Sequence, residues 1–323
     1  MTTKWARAAL SHHAFCGLAR AHLGAVIAEL AAPWSFRRES VLGKRRGGAR
    51  RRATGAGPKY ELVFTDRVLV TLVLLRTQLP HAALAQLYGV GRSTVTEAIG
   101  EMRPLLAARG FAVPDRPGLR LRTLADVFAY AEAEGVILRI DGTETQVRRP
   151  QANRPGRRAF VSGKKKQNTI KTTTISDGQG RTLFSGAVRP GRMHDQTAMR
   201  TEGIAEHLRP TVKAEVDEGY RGLANEFPHQ VSAPPRKPKA DASLGDQHAW
   251  REIRRRQSSR RICVEHTNAE YKQWRPLQRY LGHREHYADD HRAIASLVSD
   301  RAAQRPTARK PSTELVLVRT VAC

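Results

Sequence analysis

Three carboxylates stand out by where they sit in the chain. Asp141 follows the apolar run Val136 to Ile140, Asp217 closes a short apolar segment at Val216, and Glu265 lies in a long polar helical stretch from Asp246 to Trp274. In a sheet whose first and fourth strands are neighbours, two strand-end carboxylates meet at one edge of the core, and a helix packed across can deliver a third. Such a cluster repels itself unless cations neutralise it. Carboxylate oxygens without thiolate or paired imidazole suit Mg2+ or Mn2+ rather than zinc. Two such ions, about 3.5–4 Å apart, serve the attacking and leaving oxygens of an in-line phosphoryl displacement. Each residue alone also has a plainer reading: a turn at Asp141-Gly142, a surface carboxylate at Asp217, a solvated helical Glu265. Asp195, next to His194, is the rival for the second position, and it equally suits the cap of the helix after the third strand.

Glu265 has company. At about 100° per residue, positions 254, 261, 265 and 272 share one helical sector, so Arg254, Arg261 and Lys272 flank the carboxylate. That face suits a metal ligand beside a DNA backbone, with the cations on phosphates; it also suits a solvated surface laced with ion pairs. Between Val147 and Asn168 lie Arg148, Arg149, Arg154, Arg157, Arg158, Lys164, Lys165 and Lys166, a loop expected to grip phosphates near the carboxylates. His283, His286 and His291 with Asp289 and Asp290 match no tight ligand set and read as a polar helix surface. Gly163-Lys164 lacks the remaining glycines of a phosphate-cradling loop, so no ATP use is expected.

The elements that must position these residues alternate in type. Strands are expected at 136–141, 169–175 and 182–188, the last two joined by the turn Asp177-Gly-Gln-Gly180. A helical stretch from Asp195 to about Leu208, a fourth strand ending at Asp217, a fifth near Gln230 to Ala233 and the long helix complete an α/β domain over 123–295. Ahead of it, 60–112 reads as all-α. Thr65 can cap a first helix, Pro80 opens a second, Gly89-Val90-Gly91 makes a tight turn, and Ser93 can cap a third. In a helix-turn-helix the first turn of the last helix meets base edges, which here presents Arg92, Ser93, Thr94 and Thr96; a plain three-helix packing unit is the alternative. Residues 1–36 suggest one or two short helices, 37–59 a basic linker, and 300–323 a disordered tail.

Charge narrows the partner. The 323 residues hold 56 Lys and Arg against 30 Asp and Glu, a formal charge of +26. Such an excess favours a polyanion, because neutralised phosphates release condensed counterions; compositional drift in an Arg-rich proteome is the competing source. Three separated cysteines imply no disulfide framework. No run reaches the roughly 20 apolar residues of a membrane span, and no secretory leader is visible. A soluble cytoplasmic protein is expected.

With these motifs the chain resembles the DDE transposases of bacterial insertion sequences, in particular the group typified by insertion sequence five, with kinship to Harbinger-like transposases. The resemblance spans about 60–290 and rests on Ile140-Asp-Gly-Thr143, Gly191-Arg-Met-His-Asp195, Val216-Asp-Glu-Gly-Tyr220, and Arg261 with Glu265 and Lys272 in the Arg-x3-Glu-x6-Lys pattern. Ser258 stands where the family often has Tyr. The resemblance implies an RNase H-like core behind the helix-turn-helix, with Asp141, Asp217 and Glu265 as catalytic metal ligands for two Mg2+ or Mn2+ ions. It implies cleavage at inverted-repeat ends to leave a 3′-OH, attack of that hydroxyl on target double-stranded DNA, and a homodimer working on DNA at the nucleoid. The other readings are a non-catalytic helix-turn-helix regulator, an inactive relic, or an RNase H-like nuclease without strand transfer.

Overall fold

A computed structural model describes residues 3–48, 50, 53, 60–150 and 156–305. It opens with α1 (Thr3–Leu10), α2 (His13–Cys16) and α3 (Arg20–Arg46), then α4 (Phe64–Thr77), α5 (His81–Tyr88) and α6 (Arg92–Ala107). α3 differs from expectation: its 27 residues continue ten positions into the stretch read as a linker. Arg38 explains the continuation, because its guanidinium lies over the Tyr60 ring at 3.8 Å and donates to Glu101 of α6 at 3.0 Å. Residues 49, 51–52 and 54–59 of that stretch lie outside the described residues, as do Arg154 and 306–323.

α4 to α6 pack as a trihelical unit around Val70, Val73, Leu84, Val95 and Ile99. Gly89 closes α5 in the left-handed region at φ 66°, which Gly adopts without a Cβ penalty. Two expected caps move. α4 starts at Phe64 rather than after Thr65, since the buried Asp66 carboxylate accepts from the Val63 N–H at 3.3 Å and from Arg7 at 2.7 and 2.8 Å. α6 starts at Arg92 with Gly91 before it, so Ser93 lies inside the first turn.

A two-stranded ribbon, β1 (Phe111–Ala112) and β2 (Arg120–Leu121), and α7 (Leu124–Ala133) lead into the second half. Thr123 caps α7 by accepting from the Asp126 N–H at 3.1 Å. There follow β3 (Leu138–Val147), β4 (Thr169–Ser176), β5 (Thr182–Pro190), α8 (Asp195–Thr201), β6 (Ala214–Val216), α9 (Arg221–Glu226), β7 (Val231–Ser232), α10 (Leu244–Tyr271), α11 (Arg275–Gln278), β8 (Arg279–Tyr280) and α12 (Tyr287–Ala303). The sheet order is β5-β4-β3-β6-β7, antiparallel across β5-β4-β3 and parallel across β3-β6-β7, with β8 pairing the far end of β3. The first and fourth strands of this domain are therefore neighbours, in the mixed sheet of an RNase H-like core. Asp141 is not at a strand end: β3 runs six residues further because β4 pairs it through Gln146.

One apolar core joins the halves, from Leu23, Val26 and Leu30 through Met102 and Leu106 to Ile140, Ile175, Val216 and Leu297. α12 lies at its centre, and two of its residues correct the reading of a polar surface. Asp290 is buried, accepting from Arg103 of α6 at 2.6 Å and from the Tyr280 hydroxyl at 2.9 Å. His291 is buried between the Tyr271 and Tyr287 rings and hydrogen-bonds Ser185 Oγ at 3.0 Å. Among the described residues no helix is long and apolar enough to cross a membrane.

Burial, with Arg292 adding to it, pushes the His291 imidazole down to about 4. Below the usual His value of about 6.5 the unfolded chain takes up a proton that the folded chain refuses, so stability is full above pH 6.5 and falls towards pH 4, by about 3 kcal/mol in all. Urea unfolding at pH 7 and pH 4.5 should display this slope in the wild type and lose most of it in His291→Gln. An unchanged slope in the variant rejects the assignment.

Candidate active site

Register brings the first two carboxylates together. Ile140 on β3 pairs with Val216 on β6 in parallel, so the next residues, Asp141 and Asp217, leave the pair side by side. β6 stops there, and Asp217 turns the chain by accepting from the Gly219 N–H at 2.8 Å. Burial, and then the neighbouring Asp141 carboxylate, push the Asp217 carboxyl above the usual range, with Arg261 acting against them. The Asp141 contribution, smaller than that of burial, is the self-repulsion expected of adjoining carboxylates.

α10 lies across this edge because three contacts seat it. Gly180, at φ +73° in the β4–β5 turn, comes so close that a Cβ there would meet the Cys263 carbonyl oxygen at 2.5 Å. The Thr267 hydroxyl donates to the Gly180 and Cys263 carbonyls, and the buried Arg139 of β3 donates to the Arg260 carbonyl. Seated this way, α10 hands two side chains to Asp141: Arg261 Nη2 donates to Oδ1 at 3.3 Å and Asn268 Nδ2 to Oδ2 at 2.9 Å. Glu265 lies between them on the same helical face and is exposed.

A third aspartate joins from α8. Asp195 accepts from Lys171 Nζ at 2.6 Å, and a Cβ built on Gly219 would lie 2.6 Å from Asp195 Oδ2 and 3.1 Å from Asp217 Oδ1. Tyr220 fills the space that Gly142 leaves, its hydroxyl 2.9 Å from the position a Cβ there would take. Burial first, then Asp195, Asp141 and Asp217, push its phenol well above the ordinary value. The aspartates that converge are thus Asp141, Asp217 and Asp195. Glu265 stands exposed on the face of α10 that carries Arg261 and Asn268, and among the described residues no three of His, Cys, Asp and Glu, these aspartates included, are gathered tightly enough to hold a metal as they stand. The donor chemistry nevertheless fits a hard divalent cation. Carboxylate oxygens predominate, and the buried Asn268 Oδ1 and Tyr220 hydroxyl have no hydrogen-bond partner.

The expected cations divide into groups. Lys164, Lys165 and Lys272 line a cleft of about 190 Å3 together with Asp195, Asp217 and Asn268. Arg149, Arg157 and Arg158 surround a second concavity of about 440 Å3. Arg148, Lys166 and Arg254 are exposed, the last over the Trp250 ring at 5.6 Å. Arg261, expected on a phosphate, pairs through Nη2 with Asp141 at 3.3 Å and is largely covered, while its Nη1 has no hydrogen-bond partner. On α6, Arg92, Ser93 and Thr96 are exposed, while Thr94 donates to Glu61 at 3.0 Å and Thr96 pairs with His81 at 2.9 Å.

This geometry has a counterpart among known families. Residues 140–299 match the model of the DDE superfamily endonuclease, and 60–112 match the helix-turn-helix of the DDE superfamily endonuclease. The chain belongs to the DDE superfamily endonucleases. The two matches coincide with the sheet domain that carries the aspartates and with the trihelical unit that precedes it. The family is that of DNA-cleaving, transposase-type proteins, which act with divalent metal ions. No curated protein and no solved structure matches this endonuclease significantly.

Sequence reasoning missed three residues here. Asn268 falls seven positions after Arg261 and so on the same helical face, a usable signal. Lys171 is the lone charge in the strand Thr169-Ile-Lys-Thr-Thr-Thr-Ile175, and a lone buried charge demands a partner. Tyr220 carried no signal beyond its place after Asp217-Glu-Gly219.

Proposed function

We propose that the chain is the transposase of a bacterial insertion sequence, which binds the inverted-repeat ends of its element as a homodimer, cuts there and joins the freed 3′-OH to target DNA. The observation that carries this reading is the Asp141–Asp217 pair on neighbouring strands, covered by α10 and opening into a lysine-lined cleft. Asp141 and Asp217, with Glu265 from the rim of α10, would hold Mg2+ or Mn2+, whose Lewis acidity serves the attacking and leaving oxygens of phosphodiester cleavage. Arg261 and Asn268 fix the Asp141 carboxylate so that its geometry does not depend on substrate. Lys164, Lys165 and Lys272 neutralise phosphates flanking the cut, and Arg149, Arg157 and Arg158 extend that track. Arg92 and Ser93, at the exposed start of α6, read base edges, and the free N–H groups of that first turn take a phosphate.

The test is a duplex bearing the DNA that flanks the gene, incubated with the protein and Mg2+. Nicking at a repeat end to leave a 3′-OH, followed by joining to a second duplex, is the expected result. Tight sequence-specific binding with no cleavage at any Mg2+ or Mn2+ concentration would instead make the chain a regulator or relic. Cleavage without preference for ends would make it a plain nuclease.

A further inference from the structure

Lys171 has no part in the chemistry described so far, yet it is the cation buried deepest at this site. Its side chain, on β4, is 8 % exposed, and Nζ donates to Asp195 Oδ1 at 2.6 Å and to the Met193 carbonyl at 2.9 Å, with Glu144 Oε1 at 3.6 Å. Burying an ammonium this far is costly unless carboxylates compensate it. The second oxygen of Asp195 turns the other way, toward Asp217 across Gly219. Asp195 therefore stands between the ammonium and the Asp141–Asp217 pair. Charge balance follows: Asp141, Asp195, Asp217 and Glu144 contribute four negative charges, and Arg261 and Lys171 return two.

We propose that Lys171 is a positioning residue acting through Asp195: a tethered cation that occupies this carboxylate, keeps it from serving as a metal ligand, and so sets how strongly the Asp141–Asp217 pair takes a divalent ion. The proposal rests on the reading that Asp141 and Asp217 hold that ion. It resolves the rivalry between Asp195 and Asp217 on electrostatic grounds. Asp195 spends one oxygen on an ammonium at hydrogen-bonding distance, whereas Asp217 accepts only a backbone N–H at 2.8 Å, and the attraction of Arg261 is set against burial and two neighbouring carboxylates.

The experiment is calorimetric titration of Mn2+ into the full chain without DNA. In Lys171→Met, Asp195 is left uncompensated beside Asp217, and Mn2+ should bind about tenfold more tightly, as one added unit charge a few ångströms from the ion would cause in a partly solvated site. In Asp195→Asn the ammonium is left in excess and binding should weaken about tenfold. The double variant should return close to the wild-type affinity, and Lys171→Arg, which keeps the charge, should stay within about threefold. A lysine that only supports the fold would loosen the ion when removed, and the second substitution would not reverse the effect. Unchanged or weaker Mn2+ binding in folded Lys171→Met overturns the proposal. So does a loss in Asp195→Asn as complete as that in Asp141→Asn, which would make Asp195 a ligand. Should Lys171→Met not fold, Asp195→Asn and Lys171→Arg decide: about tenfold weakening in the first with near-wild-type binding in the second upholds the proposal, and any other pair of results overturns it. Wild-type affinity in Asp141→Asn is a separate outcome, and it strikes the ligand reading beneath the proposal.

Discussion

Replacing Asp141 by Asn should abolish DNA cleavage, by about 10³-fold or more, while leaving the fold in place. The loss follows from position. Asp141 adjoins Asp217 at the point where β6 leaves β3, and Arg261 and Asn268 hold its two oxygens from α10. Asparagine keeps the shape but supplies one oxygen in place of two and no charge for a cation. Stability should move little, within about 1 kcal/mol, because two changes oppose each other: the Arg261 pair weakens, and the repulsion that lifts Asp217 disappears. Quantitative end-nicking in Mg2+ together with urea unfolding of the same preparation checks both halves. Cleavage within tenfold of wild type would remove Asp141 from the chemistry, and a large loss of stability would make it a structural residue.

The largest stability effect should come from Arg109→Ala. This guanidinium, 2 % exposed, donates to Glu29 of α3 at 2.6 Å and to Asp300 of α12 at 2.7 Å. Burial pushes the Asp300 carboxyl up, but the His22 hydrogen bond and the charges of Arg109 and Arg120 outweigh it and hold the group at about 2. Its folded value lies below the ordinary carboxylate range, so its stabilisation is present above about pH 4 and is lost as pH falls through about 2. Deleting Arg109 leaves Arg120 to serve both Glu29 and Asp300, with His22 as the only other partner of Asp300, a loss of about 3 kcal/mol, the lower part of the range for broken buried pairs. Denaturant unfolding at pH 7 measures it, and a change under about 1 kcal/mol would show that Arg120 and His22 suffice. The acid limb should also shift, since Asp300 would titrate closer to its unfolded value.

Elements with local punctuation could be read from the sequence, and those fixed by distant partners could not. The trihelical unit was legible because Pro80 and Gly89 mark its breaks, and the β4–β5 hairpin because Asp177 to Gly180 reads as a turn. β3 looked shorter than it is. Thr143 to Gln146 are polar and pair only because β4, some thirty residues later, lies antiparallel to them. α3 outran its apolar pattern for a similar reason: Arg38 is held by Tyr60 and Glu101. At the site, the four motifs singled out their segments, and the pairing of β3 with β6 brings Asp141 and Asp217 together, although Asp141 lies inside its strand and only Asp217 follows the end of one. What the motifs could not convey is pairing. Arg261 reads as a phosphate ligand by spacing, which gives no hint of its pairing with Asp141; Asp290 and His291 read as surface by composition, but α6 and β5 cover them.

The place of α12 bears on how the protein is made. This helix covers β5 on one side, where Ser299 Oγ donates to the Thr182 carbonyl at 2.7 Å, and α6 on the other, where Asp290 receives Arg103. Both faces belong to segments translated more than a hundred residues earlier. Until residues 287–303 have been made, α6 and the sheet each carry an apolar flank that α12 will cover, and closing them requires a contact across most of the chain. The shared apolar core therefore closes only late in synthesis, while the separate core of α4 to α6 needs no residue of α12.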